Sequence, residues 1–109
     1  MIESNKKIRL SNSDLVAIQN IFHKHFLAKD SLWLFGSRVD LAKLGGDIDL
    51  YIETSMESME LAIKKKIDFI WDLEQIIGEQ KIDVVLNIVN HPYDLPIYKI
   101  AKEQGVKIV

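Results

Sequence analysis

Apolar and polar positions change period several times along the chain, and those changes divide it into elements. Leu15, Ile18, Ile21, Phe22 and Phe26 recur three and four residues apart, which places them on one face of a helix running to about Leu27. The stretch Leu10-Ser11-Asn12-Ser13-Asp14-Leu15 carries its start signals. Ser11 serves as N-cap, Asp14 as a capping-box variant, and Leu10 staples against Leu15. The run from Ser31 to Phe35 predicts a first strand. The polar segment Arg38 to Leu44 predicts a short helix or helical turn, ended by Gly45-Gly46. From Asp47 to Ile52 the pattern alternates, so a second strand turns Asp47, Asp49 and Tyr51 to one face and Ile48, Leu50 and Ile52 to the other.

Thr54 or Ser55 is then placed to cap a long helix whose stripe is Met59, Ile63, Ile67, Ile70, Leu73 and Ile77, closed by Gly78. Ile82 to Leu86 predicts a third strand. Pro92 and Pro96 bound a loop, Pro96 opens a last helix to about Gln104, Gly105 stops it, and Val106 to Val109 adds an edge strand. The alternating order predicts one α+β domain over residues 1–109, an α/β sandwich with a small mixed sheet flanked by helices. Residues 1–8 lack periodicity and are expected to fray.

Composition narrows the function classes. About half of the 109 residues are hydrophobic, enough for a core at this size. No apolar run approaches a membrane span and no signal-peptide pattern opens the chain, so a cytoplasmic protein is expected. The absence of cysteine rules out disulfides, thiolate metal sites and cysteine catalysis together. Fourteen basic against sixteen acidic residues give a formal charge of -2, which argues against nucleic acid as a direct ligand.

The chemistry concentrates between Trp33 and Ile52. Asp47 and Asp49 share a strand face and repel unless a cation compensates them, and a hard divalent ion takes such oxygen ligands. Asp83, inside a later strand, is the candidate third ligand. Gly36 lets the backbone approach a ligand, and the free N–H groups of the following turn, with the Ser37 hydroxyl, suit a phosphate. Arg38 and Lys43 flank that turn. Plainer readings apply elsewhere. Lys64-Lys65-Lys66 reads as a solvated helix face, and Trp33, Phe35 and Trp71 as core. His23, His25 and His91 share no metal-ligand spacing with a carboxylate. Tyr51 either lines the site or is a half-buried strand tyrosine.

Gly36-Ser37, the Asp47-Ile48-Asp49 pair after a short spacer, and the lone Asp83 together resemble the nucleotidyltransferase superfamily typified by DNA polymerase β. The length is similar to the minimal nucleotidyltransferases paired with HEPN-domain proteins in bacteria and archaea. The resemblance extends through Pro96-Ile97-Tyr98-Lys99-Ile100 to Gly105-Val106-Lys107-Ile108-Val109. The chain departs from many minimal members where Val39-Asp40-Leu41 replaces Ala-Arg-Gly and Gly46 replaces a serine.

The resemblance implies the nucleotidyltransferase fold, with Asp47, Asp49 and Asp83 as catalytic metal ligands for Mg²⁺ or Mn²⁺. It implies Gly36, Ser37 and Arg38 as nucleotide-binding residues and ATP as substrate. The acceptor surface is expected on another chain, a HEPN-type toxin or a substrate-binding subunit, with AMP transfer to a hydroxyl and an antitoxin role. Oligomerisation is left open. Two other readings stand beside it: a non-catalytic module that neutralises its partner by occlusion, and a nucleotidyltransferase acting on a small molecule or tRNA.

Overall fold

The computed structural model describes residues 7–78, 80–91 and 93–109. The expected fraying of residues 1–6 and the loop boundary at Pro92 lie outside them. Helix α1 spans Asn12–His25, with Ser11 as its N-cap: the Ser11 Oγ accepts the Asp14 N–H at 3.1 Å. Leu10 and Leu15 both pack against the core, as the staple requires. Strand β1 is Ser31–Phe35.

The predicted helix over Arg38 to Leu44 is replaced by a single 3-10 turn, Gly36–Val39. The cause is Arg9, whose guanidinium donates to the carbonyls of Ser37 (2.7 Å), Asp40 (3.0 Å) and Gly45 (2.7 Å). The first two also accept the backbone N–H three residues on, Asp40 to Ser37 at 3.1 Å and Lys43 to Asp40 at 3.2 Å, so the clamp holds the chain at 3-10 spacing. Asp40 Oδ1 also accepts the Ala42 N–H at 3.0 Å, a local turn that competes with helix.

Strand β2 spans Ile48–Thr54. Thr54 therefore belongs to the sheet, and neither it nor Ser55 caps the next helix. Both bond the buried Asp30 instead, Thr54 Oγ1 donating to Oδ2 at 2.7 Å and the Ser55 N–H to Oδ1 at 3.0 Å. Helix α2, Met59–Ile77, is capped by Ser58, whose Oγ accepts the Leu61 N–H at 3.1 Å.

The buried face of α2 is Ala62, Phe69 and Leu73, with Ile70 and Ile77 at its margin. Met59, Ile63 and Ile67 of the predicted stripe are exposed, and Trp71, expected in the core, is 64% exposed. Phe69 decides the rotation. Its ring meets Phe22 and Phe26 edge-on at 6.2 and 5.9 Å, while Ala62 lets the helix close onto its neighbours. Lys24 and His25 of α1 both contact Asp72 of α2, at 3.1 and 2.6 Å.

Strand β3 is Ile82–Ile88, helix α3 Pro96–Gln104, and β4 Val106–Lys107. The last strand is shorter than predicted, although Ile108 is fully buried and Leu32 donates to the Val109 carbonyl at 3.1 Å. The sheet order is β3-β2-β1-β4, with β2 and β3 parallel and the other pairs antiparallel. The parallel pair requires a crossover, and α2 supplies it. One sheet face, with Leu32, Leu34, Ile48, Leu50 and Ile52 all fully buried, forms the main core with α1 and α2. On the other, Trp33 and Tyr51 pack with Ala101 and Tyr98 of α3. This is a four-stranded mixed sheet with three helices, an α+β sandwich. Among the described residues no helix is long and apolar enough to cross a membrane.

The rotation of α2 is testable. Phe69→Ala opens a cavity beside Phe22 and Phe26 and is expected to cost about 3–5 kcal/mol in urea denaturation. Trp71→Ala is expected to stay within about 0.5 kcal/mol of wild type. Comparable losses at both positions would overturn the assignment of faces.

Candidate active site

Parallel pairing of β2 with β3 sets Asp49 beside Asp83 in register, and alternation turns both to the face opposite the main core. Asp47, two residues before Asp49, ends the preceding loop. On the other side of Asp49 the antiparallel partner is Phe35, the last residue of β1. Gly36 follows at φ +73°, and a Cβ built on it would collide with Asp49 Oδ2. Glycine is therefore required twice there, for the backbone angle and for the approach of the carboxylate. Gly46, at φ +94°, has the same relation to Ser37: a Cβ there would collide with the Ser37 hydroxyl. The spacer between the Gly-Ser pair and the Asp pair thus folds back on itself.

The carboxylates feel one another. Burial first, then the charges of Asp83 and Asp47, raise the Asp49 pKa above the ordinary aspartate value, and Lys81 opposes them. Lys81 Nζ lies 3.6 Å from Asp47 Oδ2 and 3.9 Å from Asp83 Oδ2, with its side chain largely exposed. Among the described residues, no three His, Cys, Asp or Glu side chains stand close enough together to hold an ion in their present rotamers. The donor set is of the chemical type that a hard divalent cation takes. It is made of carboxylates alone, its charge is incompletely neutralised, and two of its members are register neighbours on a rigid sheet.

A cleft of about 490 Å³ opens over the turn, lined by Gly36, Ser37, Asp40, Lys43 and Gln104 among others. It places a lysine and a hydroxyl on one concavity. Arg38 does not line it. Its guanidinium donates to the carbonyls of Arg9 (2.8 Å) and Gly46 (3.3 Å) and to Gln80 Oε1 (3.1 Å), while Gln80 donates to Asp14 Oδ2 at 3.0 Å. Arg38 is placed as a brace for the turn. The structure thus gathers Asp47, Asp49, Asp83, Gly36 and Ser37, and commits Arg38 to the scaffold.

Lys81 was legible in principle, since alternation puts it on the face of Asp83 two residues on. Arg9 carried no local signal. His25 and His91 are bonded elsewhere, to Asp72 and to the Glu57 carbonyl. Tyr51 is fully buried rather than half-buried, stacked on Tyr98 with ring centroids 5.6 Å apart. Its hydroxyl donates to Glu53 Oε2 at 2.7 Å and accepts from Asn87 Nδ2 at 3.0 Å. Burial above all pushes its pKa well beyond the usual tyrosine range. Beyond it a larger cavity, about 850 Å³, opens on the same side of the sheet.

Compared with models of known protein families and with curated proteins, the chain matches none.

The Asp49 shift has a direction for stability. A carboxyl whose pKa is raised by folding favours the fold below its unfolded value of 3.8, and loses that advantage as pH rises through the folded value. At neutral pH the charged group works against folding. Without divalent ions, Asp49→Asn is therefore expected to raise the thermal midpoint at pH 7 and to leave it nearly unchanged at pH 3. Mg²⁺ should raise the midpoint of the wild type and not of the variant. A lower midpoint for the variant at pH 7 would contradict the crowding of these charges.

Proposed function

We propose that the protein is a metal-dependent nucleotidyltransferase that moves AMP from ATP to a hydroxyl of a partner protein. The observation that carries the reading is the register pair Asp49–Asp83, with Asp47 two residues away, beside the Gly36-Ser37 turn. Asp47, Asp49 and Asp83 would hold Mg²⁺ or Mn²⁺, which when bound neutralises phosphate charge and eases ionisation of an acceptor hydroxyl. The Ser37 hydroxyl and Lys43 line the cleft and hold the outer phosphates. Asp49, fixed between Gly36 and Asp83, would act on the phosphate only through the metal ion, since a carboxylate by itself repels it.

The acceptor oxygen attacks the α-phosphorus, and the bond from that phosphorus to the bridging oxygen breaks as pyrophosphate leaves. Asp83, on an edge strand, takes the acceptor proton. The chain's part is alignment and charge stabilisation rather than covalent chemistry. The partner follows from the resemblance: a HEPN-type toxin or a substrate-binding subunit, with this chain acting as antitoxin in the first case.

The test is label transfer from α-phosphate-labelled ATP with Mg²⁺, by the chain alone and with its co-purifying protein. Label is expected on the partner. The Asp47→Asn/Asp49→Asn variant should lower it by more than about 100-fold, since even outer-shell changes at metal sites cost 10–100-fold. A stable complex with no label on any protein would replace this reading with occlusion without catalysis.

A further inference from the structure

The sheet face that carries the carboxylates continues into a second feature. Along β2 it runs from Asp49 through Tyr51 to Glu53, and along β3 from Asp83 through Val85 to Asn87, paired in register at each step. Four residues of strand span about 13 Å, a distance that an extended nucleoside monophosphate can bridge. At the far end lies the cavity of about 850 Å³, a volume usual for a small-molecule site.

Its polar groups are fixed in their roles. Tyr51 has one hydroxyl hydrogen and gives it to Glu53 Oε2. Its oxygen can then only accept from Asn87, so Asn87 must turn Nδ2 towards it. That leaves Asn87 Oδ1 and one amide N–H for another molecule. Lys102 Nζ sits 3.2 Å from the same Glu53 oxygen, and Glu53 Oε1 has no hydrogen-bond partner among the described residues. Asn87 and Glu53 thus leave two acceptors and one donor free, in a wall that also carries two ion-paired lysines, Lys99 with Glu103 and Lys102 with Glu53, and Asp94. Tyr98, stacked on Tyr51, and Tyr93, 66% exposed, add aromatic faces to the lining.

A flat ring with an exocyclic amino group beside a ring nitrogen matches this wall. The amino group donates to Asn87 Oδ1 or Glu53 Oε1, and the ring nitrogen accepts the free Asn87 N–H, the bidentate pairing by which asparagine reads adenine. On that N7 edge guanine presents a carbonyl oxygen where adenine presents its amino group, and so sets an acceptor against Asn87 Oδ1. We infer that this cavity binds the adenine base of the substrate nucleotide, with Asn87 and Glu53 as its specificity residues and the tyrosines as its stacking surface. The inference rests on the nucleotidyl-transfer reading for the identity of the substrate, and on the cavity itself for the base.

The test is equilibrium calorimetry with adenosine, guanosine, ATP and GTP. Adenosine lacks phosphate, so it should bind the wild type and the Asp47→Asn/Asp49→Asn variant equally, compete with ATP, and exceed guanosine in affinity. Asn87→Ala should reduce the preference for adenosine by about tenfold or more, the discrimination of one bidentate pair. Tyr93→Ala, at an exposed position, should weaken both nucleosides. Failure of adenosine to displace ATP, or an unchanged ATP-to-GTP preference in Asn87→Ala, would overturn the pocket even if label transfer proceeds. Adenosine binding that depends on Asn87, without label transfer to any acceptor, would uphold the pocket while the proposed reaction fell.

Discussion

Like charges held side by side are the constraint that the structure is built around. Asp49 and Asp83 occupy opposed positions on parallel strands, with Asp47 close by, and repulsion among them favours any arrangement that separates the strands. What resists separation is the reverse face. Ile48, Leu50 and Ile52 alternate with the acidic residues and are fully buried against the helices. A one-residue slip would carry the carboxylates into that core and the isoleucines into water, so the register that crowds the charges is also the one the core enforces. Lys81 supplies partial compensation from an exposed side chain, the kind of contact that contributes little to stability.

The turn from Gly36 to Gly46 obeys a second constraint, imposed from outside it. Its carbonyls are gathered by Arg9 and its far end is tied by Arg38 to Gln80. The two arginines interlock, since Arg38 donates to the Arg9 carbonyl and the Arg9 N–H donates to the Arg38 carbonyl at 2.7 Å. Three distant segments, the approach to α1, the turn, and the entry to β3, are thereby joined by charge-assisted hydrogen bonds, to backbone carbonyls in the first two and to the Gln80 side chain in the third. Tethering the carbonyls from one side fixes the peptide planes of the turn, and with them the direction of its N–H groups.

Much of this was legible in the sequence, for reasons that differ by element. Local rules sufficed for Ser11 as a cap, for Ser31 to Phe35 as a strand, and for Pro96 and Gly105 as the limits of α3, because each depends on residues within a turn of itself. Alternation alone assigned Asp47, Asp49 and Ile48, Leu50, Ile52 to opposite faces. The failures share another property. The 3-10 turn depends on Arg9, far away in sequence, and the cap at Ser58 on the demand of buried Asp30 for Thr54 and Ser55. Helix α2 carries two apolar stripes, one through Met59, Ile63 and Ile67 and one through Ala62, Phe69 and Leu73. Periodicity cannot choose between stripes of equal period; aromatic contacts across to α1 choose.

Tyr51 shows how one residue can serve both the fold and the site. As a strand tyrosine between Asp49 and Glu53 it divides the acidic end of the face from the cavity end, and its ring is clasped by Trp33 and Tyr98. Burying a phenol requires that its hydroxyl be paired. The pairing, donor to Glu53 and acceptor from Asn87, passes the orientation of a core ring out to two side chains that line a cavity. Lys102 extends the chain by contacting Glu53 while lying over the Trp33 ring at 5.2 Å. A polar network anchored in this way is fixed by packing rather than by solvent, so its free donors and acceptors are held in place before any ligand arrives. The same strand that crowds carboxylates at one end thus holds a single paired carboxylate, Glu53, in a hydrogen-bonded network at the other.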